Sequence, residues 1–522
     1  MSTGEMEQTP VSAADAEALR AELLRRRLAG RGTTARRRSG IPRADRDRPL
    51  KLSHGQQQLW FLDRLAPESG EYHVPVVLRL RGALDADALD TAWQRLLDRH
   101  EILRTRYGTH GDDPVQVIDP PRPSPLERTD VTDDAQARAL IEADLARPFD
   151  LAAAWPVRAR LLRITDDEHV LALVLHHIAC DAWSVGVVGQ ELGELYRGTE
   201  PAPLPVQYAD YAAWQHTELT GPAVDRHLAY WKEQLADLPP LELPADRPRP
   251  AVRDSAGDSV PFTVPGELAD RLRTLAHEHD ATLFMTFLAA WQTLLSRTCG
   301  RDDIAVGTVV SGRGRPELQQ LVGYGINSLV MRGRLDGDPT FADLLARTRA
   351  TVLDAYDHQD LPFTRVVEEL QPERDLSRTP LFQVAFTLHG ERTAAFDLPG
   401  VTVSPYEGSS RIAKFDLDLQ LKESADGTLS GHIEYATALF DRATAERMTD
   451  HLLRLLTAVT ADPKARLATV DFVGPEERAL LIDPTEQTPV TRRVHEVFEE
   501  QVGRTPDAVA VSFEGVELSY AE

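Results

Sequence analysis

The chain has 522 residues, 42% of them apolar and 27% charged, a composition typical of a folded, water-soluble protein. Its formal net charge is −24, which argues against non-specific binding to nucleic acid. No apolar run approaches the roughly 18 residues that span a bilayer. Two cysteines, Cys180 and Cys299, are too few for a disulfide framework or a zinc site. We therefore expect a cytoplasmic protein of about two to four domains with no nucleic-acid and no membrane partner.

Residues 1–47 differ from the rest of the chain. Residues 13–28 have the periodicity of one amphipathic helix, and a loop rich in arginine and glycine follows, with Arg36, Arg37 and Arg38 in succession. A basic run of this kind is typical of a solvated linker. A helix that docks onto an acidic upstream protein is the alternative.

Alternating helix and strand signals follow this segment. Apolar spacing predicts a helix over residues 51–65, a strand over residues 74–81 and a second helix that Asp85 caps. Residues 157–165 and 170–177 predict two strands joined by a hairpin-like turn. This first half of the chain therefore has the alternation of an α/β domain.

The most informative stretch is residues 170–184. An unbroken apolar run over residues 170–175 predicts a strand buried on both faces, and it ends at His176 and His177. Asp181 follows, and a helical pattern begins directly after it, so the unit is strand, histidine pair, tight loop and helix. A single histidine at a strand end is usually structural. The pair with a nearby carboxylate makes a functional role equally reasonable.

The second half of the chain repeats the alternation after a connector. Residues 227–235 predict a short helix, and residues 237–253 form a proline-rich connector. Residues 282–296 are apolar all round, which predicts a buried helix, and residues 302–310 predict a buried strand. We therefore expect two α/β lobes.

Residues 176–184 read His-His-Ile-Ala-Cys-Asp-Ala-Trp-Ser and resemble the HHxxxDG motif of condensation domains of non-ribosomal peptide synthetases. Ala182 stands in place of the motif's glycine, so the loop after Asp181 must use an ordinary backbone conformation. Six further stretches match motifs of this family in the family's order: residues 51–65, 99–107, 208–215, 321–332, 358–363 and 374–381. The first resembles the form found with L-configured donors, with Gly55 and Gln58 in place of alanine and arginine.

The resemblance implies an α/β fold of two lobes, each like a chloramphenicol acetyltransferase subunit, in a V-shaped pseudo-dimer with a central tunnel. It also implies a domain order: an N-terminal helix and basic linker over residues 1–47, a first lobe with the histidine motif over 48–225, an inter-lobe helix and connector over 226–257, a second lobe over 258–480, and a linker with the truncated start of an adenylation domain over 481–522. The last part rests on residues 494–501 and 504–510, which resemble that domain's first helix and strand.

The same resemblance implies an acyltransferase that forms peptide bonds in secondary metabolism, as in antibiotic or siderophore biosynthesis. Donor and acceptor peptidyl-carrier domains each bring a thioester on a phosphopantetheine arm, and an adenylation domain follows in the full-length protein. The chain itself is expected to bind no cofactor and no metal. His177 is expected to orient the acceptor amine and to take its proton.

Neighbouring residues are expected to support His177, namely His176, Asp181, Ala182 and Ser184. Backbone N–H groups at the helix start, from Ala182 to Ser184, are candidates to stabilise an oxyanion. A buried carboxylate at Asp181 requires a cationic partner. Arg99 and Arg104, in the motif over residues 99–107, are the candidates for that partner.

Candidates for the wall of the substrate channel lie next to the histidine motif or in the motifs of the second lobe, and they are Trp183, Gly325, Asn327, Ser328 and Gln359. Gly325 stands where the family has phenylalanine, so it is expected to open space near the lobe interface. Asn327 is expected to present a polar group to the channel.

Several other functions compete with peptide-bond formation. A starter domain would join a fatty acyl group to the first amino acid, and an inactive docking scaffold would bind carriers without reacting. Cys180 is a candidate covalent nucleophile, although such a cysteine requires a lowered pKa. An epimerisation domain shares the histidine motif but is not normally followed by an adenylation start. A heterocyclisation domain is excluded because it would carry a pair of aspartates instead of the histidines.

Overall fold

The computed structural model describes residues 40–371, 375–389, 396–406, 412–424, 426–482, 493–513 and 515–522. The helix predicted near the N-terminus, the arginine run after it and Arg374 lie outside the described residues. The chain divides into a first compact unit that ends at Phe472 and a second unit that comprises Val473–Glu522. Both predicted lobes lie in the first unit, apart from residues 473–480.

The first lobe alternates strands and helices as the sequence predicts. Its strands are β1 (Leu50–Lys51), β2 (His73–Gly82), β3 (Thr105–His110), β4 (Asp113–Ile118), β5 (Glu127–Asp130), β6 (Val157–Thr165) and β7 (Glu168–His176). Its helices are α1 (His54–Leu65), α2 (Ala86–Arg99), α3 (Asp134–Ala146), α4 (Ala182–Tyr196) and α5 (Tyr208–Glu218). Asp85 caps α2 by accepting hydrogen bonds from two backbone N–H groups, which confirms the predicted cap.

Helix α6 (Pro222–Gln234) leads out of this lobe to the proline-rich connector. The second-lobe strands are β8 (Gly257–Val264), β9 (Asp303–Val310), β10 (Asn327–Arg334), β11 (Val384–His389), β12 (Val401–Pro405), β13 (Leu417–Glu423) and β14 (Leu429–Ala436). The helices that follow α6 are α7 (Gly266–Glu278), α8 (Leu283–Cys299), α9 (Phe341–Asp357), α10 (Phe363–Leu370) and α11 (Arg442–Ala461).

Strand β7 lies at the centre of a five-stranded sheet whose order is β12-β2-β7-β6-β5. It is antiparallel to both of its neighbours, β2 and β6. Every residue of β7 after Glu168 is buried, as its unbroken apolar run predicts. Helices α2 and α4 pack against each other and share one hydrophobic core with this strand. The histidine motif therefore begins where the core ends.

The edge strand β12 belongs to the region predicted as the second lobe. It is antiparallel to β2, with Val401 opposite Gly82 and Pro405 opposite Leu78. Alternation of apolar and polar residues predicts a strand but not the sheet that the strand joins. The first lobe's sheet is thus completed by a strand from the second half of the chain.

The second lobe is built on a six-stranded sheet of order β10-β9-β11-β13-β14-β8. Helix α8 is buried along most of its length, and Gly300, with a φ of +64°, ends it. This confirms the buried helix that residues 282–296 predict. The buried strand predicted over residues 302–310 is also present, as β9.

The second unit contains two helices, α12 (Pro475–Ile482) and α13 (Val494–Arg504), and a hairpin of β15 (Val509–Phe513) and β16 (Val516–Ser519). Apolar side chains such as Phe498 and Phe513 are exposed in this unit. Helix α13 covers the stretch that resembles the first helix of an adenylation domain. The assignment of this unit to such a domain remains a prediction.

Candidate active site

His177 lies in a single 3-10 turn, His177–Ala179, between β7 and α4. Its backbone N–H donates to the carbonyl of Tyr72 at 2.8 Å, and its Nδ1–H donates to the carbonyl of Cys180 at 2.7 Å. Because Nδ1 carries the proton, Nε2 presents a lone pair. Burial lowers the pKa of His177 to about 4, and the charge of Lys414 acts in the same direction. The ring is therefore neutral at pH 7 and can accept a hydrogen bond.

His176 is buried beneath the turn, where its Nδ1 accepts a hydrogen bond from the N–H of Ile178 at 3.1 Å. Its Nε2 lies 3.6 Å from a carboxylate oxygen of Asp63 in α1. Burial lowers the pKa of His176 to about 3 and raises the pKa of Asp63 to about 6. These contacts support the structural role expected of His176.

Asp181 is fully buried and caps α4 by accepting from the N–H of Ser184 at 2.8 Å. Its cationic partner is Arg313, whose Nη1 and Nη2 lie 2.7 and 3.0 Å from the two carboxylate oxygens. The N–H of Gly325 donates to the same carboxylate at 2.8 Å. Burial alone would raise the pKa of Asp181, but Arg313 and these N–H groups hold it below its ordinary value. A buried bidentate ion pair therefore ties the histidine loop to the second lobe.

The prediction that Arg99 or Arg104 pairs with Asp181 is wrong. Arg99 binds Glu191 of α4 through Nε at 3.0 Å and Nη2 at 3.2 Å. Glu191 lies ten residues after Asp181, which is about 15 Å along the helix and too far for one side chain to reach both. Arg104 donates to the backbone carbonyl of Asp119. Both arginines therefore hold elements of the first lobe together.

The start of α4 differs in part from expectation. Ala182 is not among the residues with positive φ, as the missing glycine predicts. Ser184 is buried, and its hydroxyl lies 2.7 Å from Asp181 and 2.8 Å from the carbonyl of Gly323. The prediction that the N–H of Ser184 faces an oxyanion is wrong, because Asp181 already uses that donor.

Gly325 does not open space at the lobe interface, contrary to the prediction. A Cβ at this position would lie 2.6 Å from Nη1 and 2.9 Å from Cζ of Arg313. The guanidinium of Arg313 therefore occupies the volume beside the glycine. The missing side chain also lets the backbone of Gly325 reach Asp181.

Both polar atoms of the Asn327 amide form hydrogen bonds with the loop between α9 and α10. Its Nδ2 donates to the carbonyls of Gln359 at 2.9 Å and Leu361 at 2.7 Å, and its Oδ1 accepts from the N–H of Phe363 at 2.9 Å. Both amide protons are thus used inside the second lobe. The prediction that this amide faces a channel is wrong, because the loop requires it.

Three other channel candidates, Trp183, Ser328 and Gln359, are half-buried. Nε1 of Trp183 donates to the carbonyl of Gln319 at 2.8 Å, which is a further contact between the lobes. Nε2 of Gln359 donates to the carbonyl of Tyr356 at 2.7 Å. A place for these three residues in a channel wall remains a prediction.

Tyr324 packs edge-on against His177, with the ring centres 5.2 Å apart and the ring planes 84° apart. A Cβ on Gly55 of α1 would lie 2.6 Å from two carbons of the tyrosine ring. Gly55 therefore makes room for the ring that contacts the histidine. The hydroxyl of Tyr208 donates to the carbonyl of Tyr324 at 2.6 Å and holds its backbone.

We expect Gly55→Ala to destabilise the domain by about 1–3 kcal/mol, the usual cost of overpacking, and to slow turnover because Tyr324 must move relative to His177. Equilibrium urea unfolding and single-turnover rates measure the two effects. In a Tyr324→Ala background the same change should cost much less, because the ring that the new methyl group meets is gone. Equal costs in both backgrounds would contradict the assignment.

Cys180 is fully buried, and burial raises the pKa of its thiol well above the ordinary value. A nucleophilic cysteine requires a lowered pKa. The contact of the Cys180 carbonyl with His177 is a backbone contact and gives the thiol no role. The structure therefore argues against Cys180 as a covalent nucleophile.

We expect Cys180→Ser to leave the turnover rate unchanged, because a fully buried thiol with a raised pKa is a poor nucleophile. Single-turnover rates with Cys299→Ser as the matched control test this expectation, since Cys299 is the other cysteine of the chain. A loss of turnover in Cys180→Ser, with native secondary structure retained, would restore the covalent mechanism.

Three residues of the site, Arg313, Tyr324 and Lys414, are not predicted from the sequence. A signal for Arg313 existed, because it lies three residues after the end of the buried strand β9, close to where the core ends. A charged residue placed where a buried strand ends faces the same desolvation problem and needs a partner. No comparable local signal marks Tyr324.

Among the described residues, no helix combines the length and apolar character that a membrane span requires. The same part of the chain contains no group of three or more histidine, cysteine, aspartate or glutamate side chains placed to hold a metal ion.

Two α/β lobes with a histidine turn held between them define a protein with the chloramphenicol-acetyltransferase-like fold, and solved structures share it. The X-domain from teicoplanin biosynthesis superposes with a TM-score of 0.77 at 30% identity, over 83% of this chain and 100% of that chain. A four-domain nonribosomal peptide synthetase bound to AMP and glycine gives a TM-score of 0.77 at 22% identity, over 91% of this chain and 38% of that chain. At 22% identity, the similarity to the four-domain synthetase concerns the fold alone.

The family model for the condensation domain matches residues 47–482. Chondramide synthase cmdD of Chondromyces crocatus is 43% identical over 495 residues, which cover 92% of this chain and 13% of that protein. Malpibaldin synthetase of Mortierella alpina is 41% identical over 502 residues, which cover 92% of this chain and 9% of that protein. The chain belongs to the condensation domain family of non-ribosomal peptide synthetases, and it spans a small part of the length of these relatives.

Proposed function

We propose that this domain forms a peptide bond between two carrier-bound substrates, with His177 at the reacting amine. The α-amine of an acceptor aminoacyl thioester attacks the carbonyl carbon of a donor acyl or peptidyl thioester. The C–N bond forms and the C–S bond breaks, which leaves the amide on the acceptor carrier and a thiol on the donor carrier. The observation that carries this proposal is the lone pair on Nε2 of His177, in a ring whose Nδ1–H is held by the carbonyl of Cys180.

Removing a proton from the amine before attack is a small part of the barrier. An α-amine has a pKa of about 7.7–8.0, so its neutral form costs only about 1 kcal/mol at pH 7. The nitrogen gains positive charge as it attacks, and a neutral imidazole can accept the proton at that moment. Holding both tethered ends in place contributes about 7–11 kcal/mol. We infer that positioning supplies most of the rate and that His177 orients the amine and takes its proton.

Positioning of this kind requires a rigid histidine, and contacts from both lobes support it. The first lobe supplies the carbonyls of Tyr72 and Cys180, and the second lobe supplies the ring of Tyr324 and the Arg313 partner of Asp181. A side chain locked in this way loses little entropy when a substrate binds.

The proposed partners follow from the family. Donor and acceptor carrier domains bring the phosphopantetheine arms, and this chain contributes no cofactor of its own. An adenylation domain is proposed to follow in the full-length protein, in the cytoplasm. The domain is then an acyltransferase that catalyses one step of the synthesis carried out by the full-length synthetase.

The test loads one donor and one acceptor carrier with aminoacyl groups and follows both by intact mass spectrometry. The acceptor is expected to gain the mass of one aminoacyl residue while the donor loses it. Transfer from fatty-acyl donors but not from aminoacyl donors would replace the proposal with a starter domain. No transfer from either donor, with carriers shown to be loaded, would favour a docking scaffold.

A further inference from the structure

Lys414 of the second lobe lies near Tyr72, a residue whose backbone holds the histidine of the first lobe. Its Nζ lies 5.9 Å from the ring centre of Tyr72, whose carbonyl binds the N–H of His177. After burial itself, the charge of Lys414 is the largest influence that lowers the pKa of His177. The two side chains, 237 residues apart in sequence, therefore share one small region at the lobe junction.

Arg253 holds the backbone of Lys414 and of the residue before it. Its Nη1 donates to the carbonyls of Ala413 at 3.1 Å and Lys414 at 3.3 Å. Nη2 of the same arginine donates to Glu71 of the first lobe at 2.5 Å. Lys414 therefore projects from a backbone segment that Arg253 anchors to the first lobe.

The ammonium of Lys414 has charged neighbours but no ion pair within 4.0 Å among the described residues. Asp418 and Glu434 lie opposite each other on β13 and β14, and Oδ1 of Asp418 is buried with no hydrogen-bond partner in the described part of the chain. Burial lowers the pKa of Lys414, whereas Glu434, Glu71 and Asp418 oppose that effect. These carboxylates favour the charged amine and leave its N–H groups available.

We propose that Lys414 is a second catalytic residue, which donates a hydrogen bond to the carbonyl oxygen of the donor thioester as that oxygen becomes an oxyanion. The inference rests on the proposed function. Asp181 already uses the N–H of Ser184, so the start of α4 lacks that donor. An ammonium carries three donors, and a cation beside a developing oxyanion stabilises it more in a shielded site than in water.

The reaction balances without a further reactant. The amine nitrogen bonds to the carbonyl carbon, and the C=O π pair moves to the oxygen, where Lys414 donates its hydrogen bond. Nε2 of His177 takes the proton from the nitrogen. When the pair returns from oxygen to carbon, the C–S bond breaks and the thiolate receives the proton from His177. Lys414 ends with the proton that it started with.

Lys414→Met tests the proposal, because methionine keeps the length of the side chain and removes the charge. With the full chain and saturating loaded carriers, its single-turnover rate is expected to fall about 10²–10³-fold, the usual effect of losing one oxyanion donor. The carrier concentration at half-maximal rate should stay unchanged, because the contact forms only in the transition state. A merely structural role would alter both quantities and the unfolding midpoint.

A chemical rescue separates the charge from the fold. In a Cys299→Ala background, Lys414→Cys is alkylated either with bromoethylamine, which rebuilds an ammonium chain, or with iodoethane, which adds a neutral chain. The remaining cysteine, Cys180, is fully buried and is present in both samples. The aminoethylated protein is expected to regain most of the rate, and the ethylated protein is not. Lys414→Arg, which keeps a cation, is expected to be faster than Lys414→Met and is the readout if the cysteine variant does not fold.

Equal rates for the two alkylated proteins, or an unchanged rate in Lys414→Met, would overturn this inference while leaving the proposed function in place. Absence of any transfer by the wild-type chain would overturn the proposed function and this inference with it. A rate regained by the aminoethylated protein but not by the ethylated protein supports both the proposed function and this inference.

Discussion

His177→Ala is expected to lower the single-turnover rate about 10²–10⁴-fold, the range that one general acid–base group contributes. The variant lacks the neutral imidazole that we propose to orient the substrate amine and to take its proton. Rapid-quench mixing of loaded carriers with excess enzyme measures this rate directly. Retention of most of the wild-type rate in His177→Ala would contradict a role for His177 in proton transfer.

His177→Gln is the matched control for this prediction. Glutamine offers an oxygen that can accept a hydrogen bond but cannot hold a proton at neutral pH. If orientation dominates, His177→Gln should be clearly faster than His177→Ala, and if proton transfer dominates, the two variants should be equally slow.

The pH profile of the wild-type rate follows from the same site. Burial holds the pKa of His177 near 4, so the imidazole stays neutral as the pH falls from 8 to 5. We expect the rate to fall with pH as the substrate amine, with a pKa of about 7.7–8.0, becomes protonated. If the midpoint of the pH profile moved when His177 was substituted, the histidine would itself titrate in this range.

Arg313→Met is expected to destabilise the first unit by about 3–5 kcal/mol, because it leaves the fully buried Asp181 without its cationic partner. Equilibrium urea unfolding measures the change. Arg442→Met is the control, since its ion pair with Glu446 is exposed, with side chains 53% and 52% accessible, and such pairs contribute about 0–1 kcal/mol. Similar costs for the two variants would contradict the importance of the buried pair.

The dependence of this cost on pH has a defined sign. In the wild type the pKa of Asp181 is lowered, so the stabilisation is present above the unfolded value of about 3.9 and is lost as the pH falls through the folded value. Without Arg313, burial raises the pKa of Asp181, and the variant loses stability as the pH rises above the unfolded value. The cost of Arg313→Met should therefore be larger at pH 8 than at pH 5.

Several elements of both lobes could be predicted because their signals are local. The apolar run before the histidine pair, the Asp85 cap and the all-apolar helix near residue 290 act within one strand or one helix, and all three are present. Such signals depend on side-chain spacing and on capping hydrogen bonds, which a single sequence contains.

Most of the wrong predictions concern partners that are distant in sequence. The exception is the N–H of Ser184, which the carboxylate of Asp181, three residues earlier, already uses. Arg99 and Arg104 lie in the same lobe as the histidine motif, but the partner of Asp181 is Arg313, 132 residues away. Gly325 suggests empty space only because the sequence does not show that the same guanidinium lies beside it. The amide of Asn327 forms hydrogen bonds with the loop between α9 and α10, and the strand pattern around Asn327 does not indicate this contact.

The sequence by itself determined the two α/β halves, the strand–turn–helix that carries His177, and the family, because each depends on short-range pattern and on motif order. Tertiary structure alone decided the partner of Asp181, the contact between Gly55 and Tyr324, the pairing of β12 with the first lobe's sheet and the approach of Lys414 to Tyr72. Those contacts join segments that are far apart in the chain. Packing and electrostatics act only between atoms that the fold brings together, so the local sequence does not indicate them.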